Sequence, residues 1–232
     1  MTVIFLTSNT VPEYWAEYHK NILLEAIEGY PLITISRKQL DFGDVNILDT
    51  GARTATNYYV QLLQAAKMAT TPYIGIAEDD TLYHKDHFRC FRPQMDVFSY
   101  DMHIWTLATY IPPIYSRWEN TKTGAAGIYP REECIDAVTE RLSIIPPDAP
   151  PTWHYRRGEP GTGFEDELGV KRRRSVGFKS TNAVIQFDHE YFSNWTNNED
   201  TIERRRRKRF GTIKAYDIPY WGHAKELVKN FK

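Results

Sequence analysis

The chain has 232 residues, of which 41% are hydrophobic and 25% are charged, and its formal net charge is −1 at pH 7. These values are ordinary for a globular protein, and a chain of this length buries a core that needs no disulfide or zinc ion for stability. The small net charge excludes a strong overall field, and no segment approaches the roughly 20 apolar residues of a membrane span.

The first 80 residues are predicted to alternate between strands and helices. Three short apolar runs indicate buried strands, at 3–6, 31–35 and 73–77. Between them, apolar residues recur at helical spacing in two segments, 12–28 and 52–69. A short strand-like piece, 45–48, precedes the second helix. The order strand, helix, strand, helix, strand predicts a parallel doubly wound sheet.

Beyond residue 80, further elements are predicted around a long loop. Helices are expected at 84–91 and 130–142, and strands at 102–109 and 182–187. The stretch 146–163 is rich in proline and glycine. It carries Trp153 and Tyr155, and long loops of this kind are often functional. Another helix is predicted to begin near Phe164.

Polar residues stand directly after two of the predicted strands. Thr7-Ser8-Asn9 follows the first strand, and Glu78-Asp79-Asp80 follows the third. Parallel sheets bind ligands at the carboxyl ends of their strands. We therefore expect the two segments to approach each other at one edge of the sheet.

The acidic triplet Glu78-Asp79-Asp80 brings three like charges together, which is unfavourable unless a cation compensates them. Carboxylate oxygens of this kind suit Mg²⁺ or Mn²⁺, which proteins hold through one or two carboxylates together with substrate phosphates. The alternative is a solvated acidic turn or a helix N-terminus. The position after a third parallel strand favours the metal.

The segment from Asn57 to Asp80, which reads NYYVQLLQAAKMATTPYIGIAEDD, resembles the GT-A glycosyltransferases of the family 2 type. The family's Asp-x-Asp motif corresponds to Glu78-Asp79-Asp80, with glutamate replacing the first aspartate. The resemblance implies a single α/β domain over 1–232, with a Rossmann-type mixed sheet and helices on both faces. Residues 1–110 would bind the nucleotide sugar and metal, and 111–232 would bind the acceptor and carry the catalytic base.

The resemblance also assigns expected roles to individual residues around this motif. Asp80 is the expected ligand of Mn²⁺ or Mg²⁺, and Glu78 is a longer and less direct one. Family members often add a late histidine to the metal, for which His189 is the first candidate and His223 the second. The residues expected near the donor nucleotide, its base or its diphosphate are Thr7, Asn9, Arg53, Asn57 and Asp79.

A second acidic segment, Phe164-Glu165-Asp166-Glu167, follows the loop at 146–163. Carboxylates at a helix N-terminus are favoured electrostatically, so one interpretation is simple capping. The resemblance implies another: Asp166 matches the general base of inverting members, which accepts the proton of the acceptor hydroxyl. Glu165 or Glu167 would take this role if the alignment is off by one.

Two basic clusters lie in the last third of the chain, at 171–174 and 204–209. For the cluster at 204–209, a solvated charge run, or neutralisation of nearby acidic residues, is one explanation, and an arginine that reaches the donor diphosphate is a second. A third is a polyanionic acceptor, since Lys and Arg bind phosphates without regard to sequence. Trp153, Tyr155 and Trp195 would then hold an extruded base, as in a viral enzyme that glycosylates hydroxymethylated pyrimidines in DNA.

Three alternatives to a DNA-modifying glycosyltransferase stay open. The first is transfer to a saccharide or glycan. The second is a metal-dependent nucleotidyltransferase, although the segment Thr7 to Glu13 lacks the glycines of a phosphate-binding loop. The third is a non-catalytic nucleic-acid-binding module, which would leave the acidic triplet unexplained.

Cysteine usage and the N-terminus bear on localisation. Cys90 and Cys134 form no Cys-x-x-Cys pair, which favours a reducing, cytosolic setting, or the host cytoplasm for a viral protein. The N-terminal apolar run is short and has no basic leader, so we expect a first strand there and no signal peptide.

Overall fold

The computed structural model describes residues 1–109, 114–117, 122–146, 149, 159–189 and 213–231. Six α-helices occur in this part of the chain: α1 Glu13–Ala26, α2 Ala55–Met68, α3 Lys85–Arg89, α4 Arg131–Ser143, α5 Glu165–Leu168 and α6 Ala224–Phe231. The first seven strands are β1 Thr2–Leu6, β2 Leu32–Ser36, β3 Val45–Leu48, β4 Tyr73–Glu78, β5 Thr81–Leu82, β6 Val97–Asp101 and β7 Ile104–Ala108. The other seven are β8 Tyr115–Arg117, β9 Gly127–Pro130, β10 Arg174–Phe178, β11 Val184–Asp188, β12 Ile213–Ala215, β13 Asp217–Ile218 and β14 Gly222–His223.

The central sheet has seven strands in the order β10-β6-β9-β4-β1-β2-β3. Strand β9 runs antiparallel to both of its neighbours, and the other pairs are parallel. A second sheet has five strands in the order β12-β8-β7-β11-β5. The predicted α/β fold class, with a mixed sheet, is confirmed.

Helices cover both faces of the central sheet because the side chains of its strands alternate between two apolar layers. Ile4 and Leu6 of β1 pack in one layer, with α2 and α4. Val3 and Phe5 pack in the other, with α1 and α3. Each fully buried aliphatic side chain contributes about 1.5–3 kcal/mol of transfer free energy, so both faces of β1 anchor the sheet.

The register of the central strands sets up one functional edge. Leu6, the last residue of β1, lies opposite Glu78 at the end of β4 and opposite Ile35 near the end of β2. The loops after these parallel strands therefore emerge side by side, as the sequence predicted for Thr7-Ser8-Asn9 and the acidic triplet.

Some element bounds differ from the predicted ones. Helix α2 begins at Ala55 instead of residue 52 because the Thr54 side chain accepts a hydrogen bond from the backbone N–H of Asn57 and caps the helix. Strand β6, which the sequence pattern did not reveal, pairs with β10 and β9. None of the described helices has the length and apolar character needed to cross a membrane.

Candidate functional site

A pocket of about 410 Å³ opens beyond the carboxyl ends of β1, β2 and β4. Its wall comes from the loop after β1, the start of α2, the turn after β4 and the end of β11. The sequence-predicted residues that line it are Thr7, Arg53, Asn57, Glu78, Asp79, Asp80 and His189. Residues from four separate parts of the chain thus meet in one cavity, of a size that suits a small-molecule ligand.

The acidic turn, residues 78–80, forms part of the wall of this pocket. The Thr7 hydroxyl donates a short hydrogen bond to the Asp79 carboxylate. The Asp80 carboxylate accepts a hydrogen bond of 2.9 Å from the Thr81 hydroxyl and lies 3.5 Å from His189 Nε2. Thr7 and His189 are therefore both neighbours of the acidic turn, although more than 180 residues of sequence separate Thr7 from His189.

The ionisation of these groups reflects burial and mutual repulsion. Burial, followed by the charges of Asp80 and Glu159, raises the pKa of Glu78 well above its usual value. Burial and the charge of Asp80 raise the pKa of Asp79 to about 7. Burial alone would lower the pKa of His189, but the hydrogen bond and charge of Asp80 outweigh it and raise that pKa. The carboxyl groups of the turn therefore disfavour one another's ionisation, and an added cation would favour their charged forms.

Carboxylate and imidazole groups at the acidic turn form the donor set for the metal that the sequence implies. In the described part of the chain, no three His, Cys, Asp or Glu side chains converge closely enough to enclose a metal ion. Asp80 and His189 nevertheless lie together at the pocket wall, with Glu78 and Asp79 beside them. Mg²⁺ and Mn²⁺ bind through one or two carboxylates and complete their coordination with substrate phosphates and water. The residues therefore fit a cation that is shared with a phosphate ligand.

Another part of the pocket wall carries a polar network around Asp49 that sequence reasoning missed. The carboxylate of Asp49, just after β3, accepts hydrogen bonds from Arg37 (3.1 Å), Asn57 (3.0 Å) and Gln61 (2.7 Å). Arg37, Asn57 and Gln61 also line the pocket. The available signal was the position of Asp49 after a strand-like piece, at the same sheet edge as the acidic turn.

Asn9 and Arg53, both predicted near the donor, have different surroundings. Asn9 has a positive φ of 52°, and its side-chain oxygen accepts hydrogen bonds from the backbone N–H groups of Arg37 (2.7 Å) and Lys38 (3.0 Å). Asn9 therefore ties the loop after β1 to the end of β2. Arg53 is exposed at the pocket wall, 3.4 Å from the Ser8 carbonyl oxygen.

The two candidate bases on α5 differ sharply. The side chain of Glu165 is 1% exposed, lies 3.4 Å from Arg141 and accepts hydrogen bonds from the backbone N–H groups of Gly161 and Gly163. The side chain of Asp166 is 72% exposed and lies 3.8 Å from Arg172. Both are separate from the residues that line the pocket. Glu165 is therefore engaged by Arg141 and by the backbone of the preceding loop, whereas Asp166 is accessible.

Glu159, at the end of the proline- and glycine-rich loop, is a further carboxylate that sequence reasoning missed. It accepts a hydrogen bond of 3.2 Å from the Tyr59 hydroxyl, and burial raises its pKa despite the opposing charge of Arg141. A Cβ at Gly124 would lie 3.0 Å from the Glu159 carboxylate and 2.5 Å from the hydroxyl of Tyr58. Because Tyr58 lines the pocket, the loop end packs directly behind the pocket wall.

The basic cluster at 171–174 is largely engaged in ion pairs. The side chain of Arg173 is 5% exposed and lies between Glu133 (2.7 Å) and Glu140 (2.8 Å) of α4. Arg174 pairs with Asp96 at 2.7 Å. Arg173 and Arg174 of this cluster therefore neutralise acidic residues of the same chain.

Several other predicted residues lie elsewhere or outside the described ranges. His223 is exposed on β14 and is separate from the residues that line the pocket. The predicted acceptor-binding Trp153 and Tyr155, together with Trp195 and the basic cluster at 204–209, fall outside the residues that the structure describes.

Neither a family model nor a curated protein matches the sequence. The chain is similar in structure to a glycosyltransferase involved in the glycosylation of the major capsid of PBCV-1, with 12% identity, 90% of this chain and 99% of that chain covered, and a TM-score of 0.47. It is also similar to the glycosyltransferase GlyE of Streptococcus pneumoniae TIGR4 (8% identity, 99% and 59% covered, TM-score 0.48). A nucleotidyl transferase from Methanothermobacter thermautotroptrophicus shows a comparable similarity (11% identity, 90% and 96% covered, TM-score 0.43). The similar structures include both glycosyltransferases and a nucleotidyl transferase. Similarity at this distance assigns no activity.

Proposed function

We propose that this chain is a metal-dependent glycosyltransferase that takes a sugar from a nucleotide-sugar donor, in the first instance a UDP-sugar. One observation carries the proposal: a single pocket joins the acidic turn, at 78–80, to a polar network around Asp49. A cation-binding part suits a diphosphate, and a part rich in hydrogen-bonding groups suits a nucleoside. The two parts together match the chemistry of a nucleotide sugar.

The acidic turn supplies the metal-binding part of this proposal. Asp80 would hold Mn²⁺ or Mg²⁺ with His189 and Glu78, and Thr7 fixes the carboxylate of Asp79 beside them. When bound, such an ion neutralises the negative charge that develops on a departing diphosphate. Arg53 is exposed on the same wall and would bind phosphate oxygens through its guanidinium.

Asp166 is the base that we propose for an inverting transfer. Its carboxylate is exposed and only loosely paired with Arg172, so it is accessible to an acceptor hydroxyl. It would accept the hydroxyl proton while the oxygen attacks the anomeric carbon of the donor sugar. Glu165 is a weaker candidate, because Arg141 and two backbone N–H groups already hold its carboxylate.

The acceptor that we propose first is a saccharide hydroxyl. A hydroxymethylated pyrimidine in DNA was the other expectation, and it depended on two basic clusters. The ion pairs of Arg173 and Arg174 remove the support from the first cluster. DNA glucosylation would require salt-dependent binding of a duplex, which a filter-binding measurement across a salt series tests directly.

A nucleotidyltransferase is the competing enzyme class. Such an enzyme would be expected to wrap triphosphate oxygens with a glycine-rich loop early in the chain. Here the loop after β1 contains no glycine from Thr7 to Glu13 and places the side chains of Thr7, Ser8 and Thr10 on the pocket wall. The side-chain chemistry of this loop therefore favours the glycosyltransferase.

The proposal is tested by incubating the protein with a panel of nucleotide sugars and Mn²⁺. We expect stabilisation against heat by UDP or a UDP-sugar only when metal is present, because a ligand that binds the native state raises its melting temperature. We also expect slow release of UDP from the matching donor. Stabilisation by nucleoside triphosphates alone, with release of pyrophosphate, would support the nucleotidyltransferase instead. No response to any nucleotide would contradict both enzymes.

A further inference from the structure

Helix α1 directs two buried polar side chains at the backbone of the acidic turn. Trp15 Nε1 donates a hydrogen bond of 2.7 Å to the carbonyl oxygen of Asp79, and His19 Nε2 lies 2.8 Å from the carbonyl oxygen of Thr81. Trp15 and His19 are one helical turn apart and therefore share a face of α1. Their relative exposures are 0% and 1%.

The carbonyl group of Asp80, which lies between those of Asp79 and Thr81, also accepts a hydrogen bond. The backbone N–H of Phe187, in β11, donates a hydrogen bond of 2.8 Å to the carbonyl oxygen of Asp80. Three consecutive carbonyl groups of the turn, at 79, 80 and 81, thus each receive a donor from another element. The N–H of Glu78 is also engaged, since it donates to the Tyr83 hydroxyl at 3.0 Å.

We propose that Trp15 and His19 are positioning residues, which fix the backbone of the acidic turn so that the carboxylates of Asp79 and Asp80 face the pocket. This inference deepens the proposed function and rests on it for its catalytic meaning. A carbonyl oxygen only accepts hydrogen bonds, so His19 presents a protonated Nε2 to Thr81. Burial lowers the pKa of His19 to about 4, so the ring is neutral at pH 7 and has a single N–H to donate.

Core packing alone would not require these two polar groups. Trp15 packs against Phe187 and Phe231 with ring centroids 4.8 Å and 4.7 Å away, contacts that a phenylalanine at position 15 would largely reproduce. His19 stacks on Phe5 at 5.4 Å. Beyond packing, Trp15 and His19 each supply a side-chain N–H donor that reaches the turn. The indole and imidazole nitrogens therefore carry the positioning role.

The variant that isolates this role is Trp15→Phe, which keeps an aromatic ring and removes the donor. Trp221→Phe is the matched control, because Trp221 Nε1 donates a hydrogen bond of 2.6 Å to the carbonyl oxygen of Ala183, outside the acidic turn. Mn²⁺ binding is measured by the loss of the free-ion electron paramagnetic resonance signal. Backbone hydrogen exchange at residues 78–82 is measured on the same proteins without metal.

We expect Trp15→Phe to weaken Mn²⁺ binding by about 10-fold, the usual effect of losing a group that orients a metal ligand. Hydrogen exchange at 78–82 should accelerate at least about 10-fold more in this variant than in Trp221→Phe, even if both lose the same melting temperature. Equal effects of the two variants on exchange and on Mn²⁺ binding would overturn the inference. If the wild type binds no Mn²⁺, the proposed metal fails, and the exchange comparison still decides whether Trp15 positions the turn.

Discussion

Two acidic triplets in this chain, 78–80 and 165–167, carry the same charge but have opposite surroundings. The first lines a pocket, and its ionic partner is His189. The second is neutralised by Arg141 on its buried side and Arg172 on its exposed side. The first triplet lies at a cavity, where its carboxylates can meet a ligand. In the second, Glu165 next to Arg141 stabilises the fold, whereas Asp166 is accessible.

The largest effect is expected from Asp80, which belongs to the first triplet. Asp80→Asn removes the carboxylate next to His189 and should lower sugar transfer roughly 1,000-fold, since metal stabilisation of a leaving group contributes several kcal/mol. The melting temperature should change little or rise, because one of three repelling charges is gone. Steady-state kinetics and calorimetry on the same preparation check both expectations. Transfer within a few-fold of the wild type would show that the first triplet is not the metal site.

The second triplet should respond in stability where it is buried. Glu165→Gln breaks the ion pair with Arg141 and takes one carboxylate away from this buried guanidinium, at a cost of roughly 3 kcal/mol. Denaturant unfolding measures this loss. Activity at a temperature where the variant is folded should stay within a few-fold of the wild type. A stable variant with abolished turnover would make Glu165 the catalytic carboxylate and reverse the roles within this triplet.

The exposed member of the second triplet should respond in chemistry instead. Asp166→Asn should lower kcat about 100-fold, the usual contribution of a general base, and leave the KM for the donor unchanged. Stability should be unaffected, because the side chain is exposed. Glu132→Gln, which changes an exposed carboxylate beside an arginine on α4, is the matched control. An unchanged kcat in Asp166→Asn would show that Asp166 is not the base and would make Glu159 the next candidate.

Much of the first triplet's environment could be predicted from the sequence, because buried strands and the polar residues that follow them are local sequence patterns. The strands β1, β2 and β4 are apolar runs, and the residues that follow parallel strands must share one sheet edge. Thr7 and the triplet at 78–80 were therefore predicted to lie together, and the resemblance at 57–80 added Asn57; all of them line one pocket.

The surroundings of the second triplet were not readable because they depend on contacts between distant elements. Arg141 and Glu165 are 24 residues apart, and Glu159 and Tyr59 are 100 apart. Strand β9 lies between β6 and β4 in the central sheet, and no local sequence pattern predicts this position. Asp166 was matched by resemblance alone, so its role stays a prediction.

The smallest effect concerns Glu159, whose pKa is raised above an ordinary 4.5 by burial. A carboxyl with a raised folded-state pKa binds its proton more tightly when folded, so its ionisation costs stability as the pH rises above the unfolded value, by about 1.4 kcal/mol per pKa unit. Glu159→Gln should therefore gain melting temperature relative to the wild type as the pH rises above about 4.5. Glu132→Gln, on the exposed surface of α4, is the control for the amide substitution itself. A constant difference between Glu159→Gln and the wild type across a pH series that begins below 4.5 would contradict the buried state of this carboxylate.

The contrast between the two triplets is tested most directly by a crystal structure of the protein with UDP and Mn²⁺, examined by anomalous diffraction. Our account predicts one manganese peak about 2 Å from an Asp80 carboxylate oxygen, with the UDP diphosphate on the same ion and the uridine toward Asp49 and Asn57. A manganese peak at 165–167, or UDP bound outside the pocket, would contradict it.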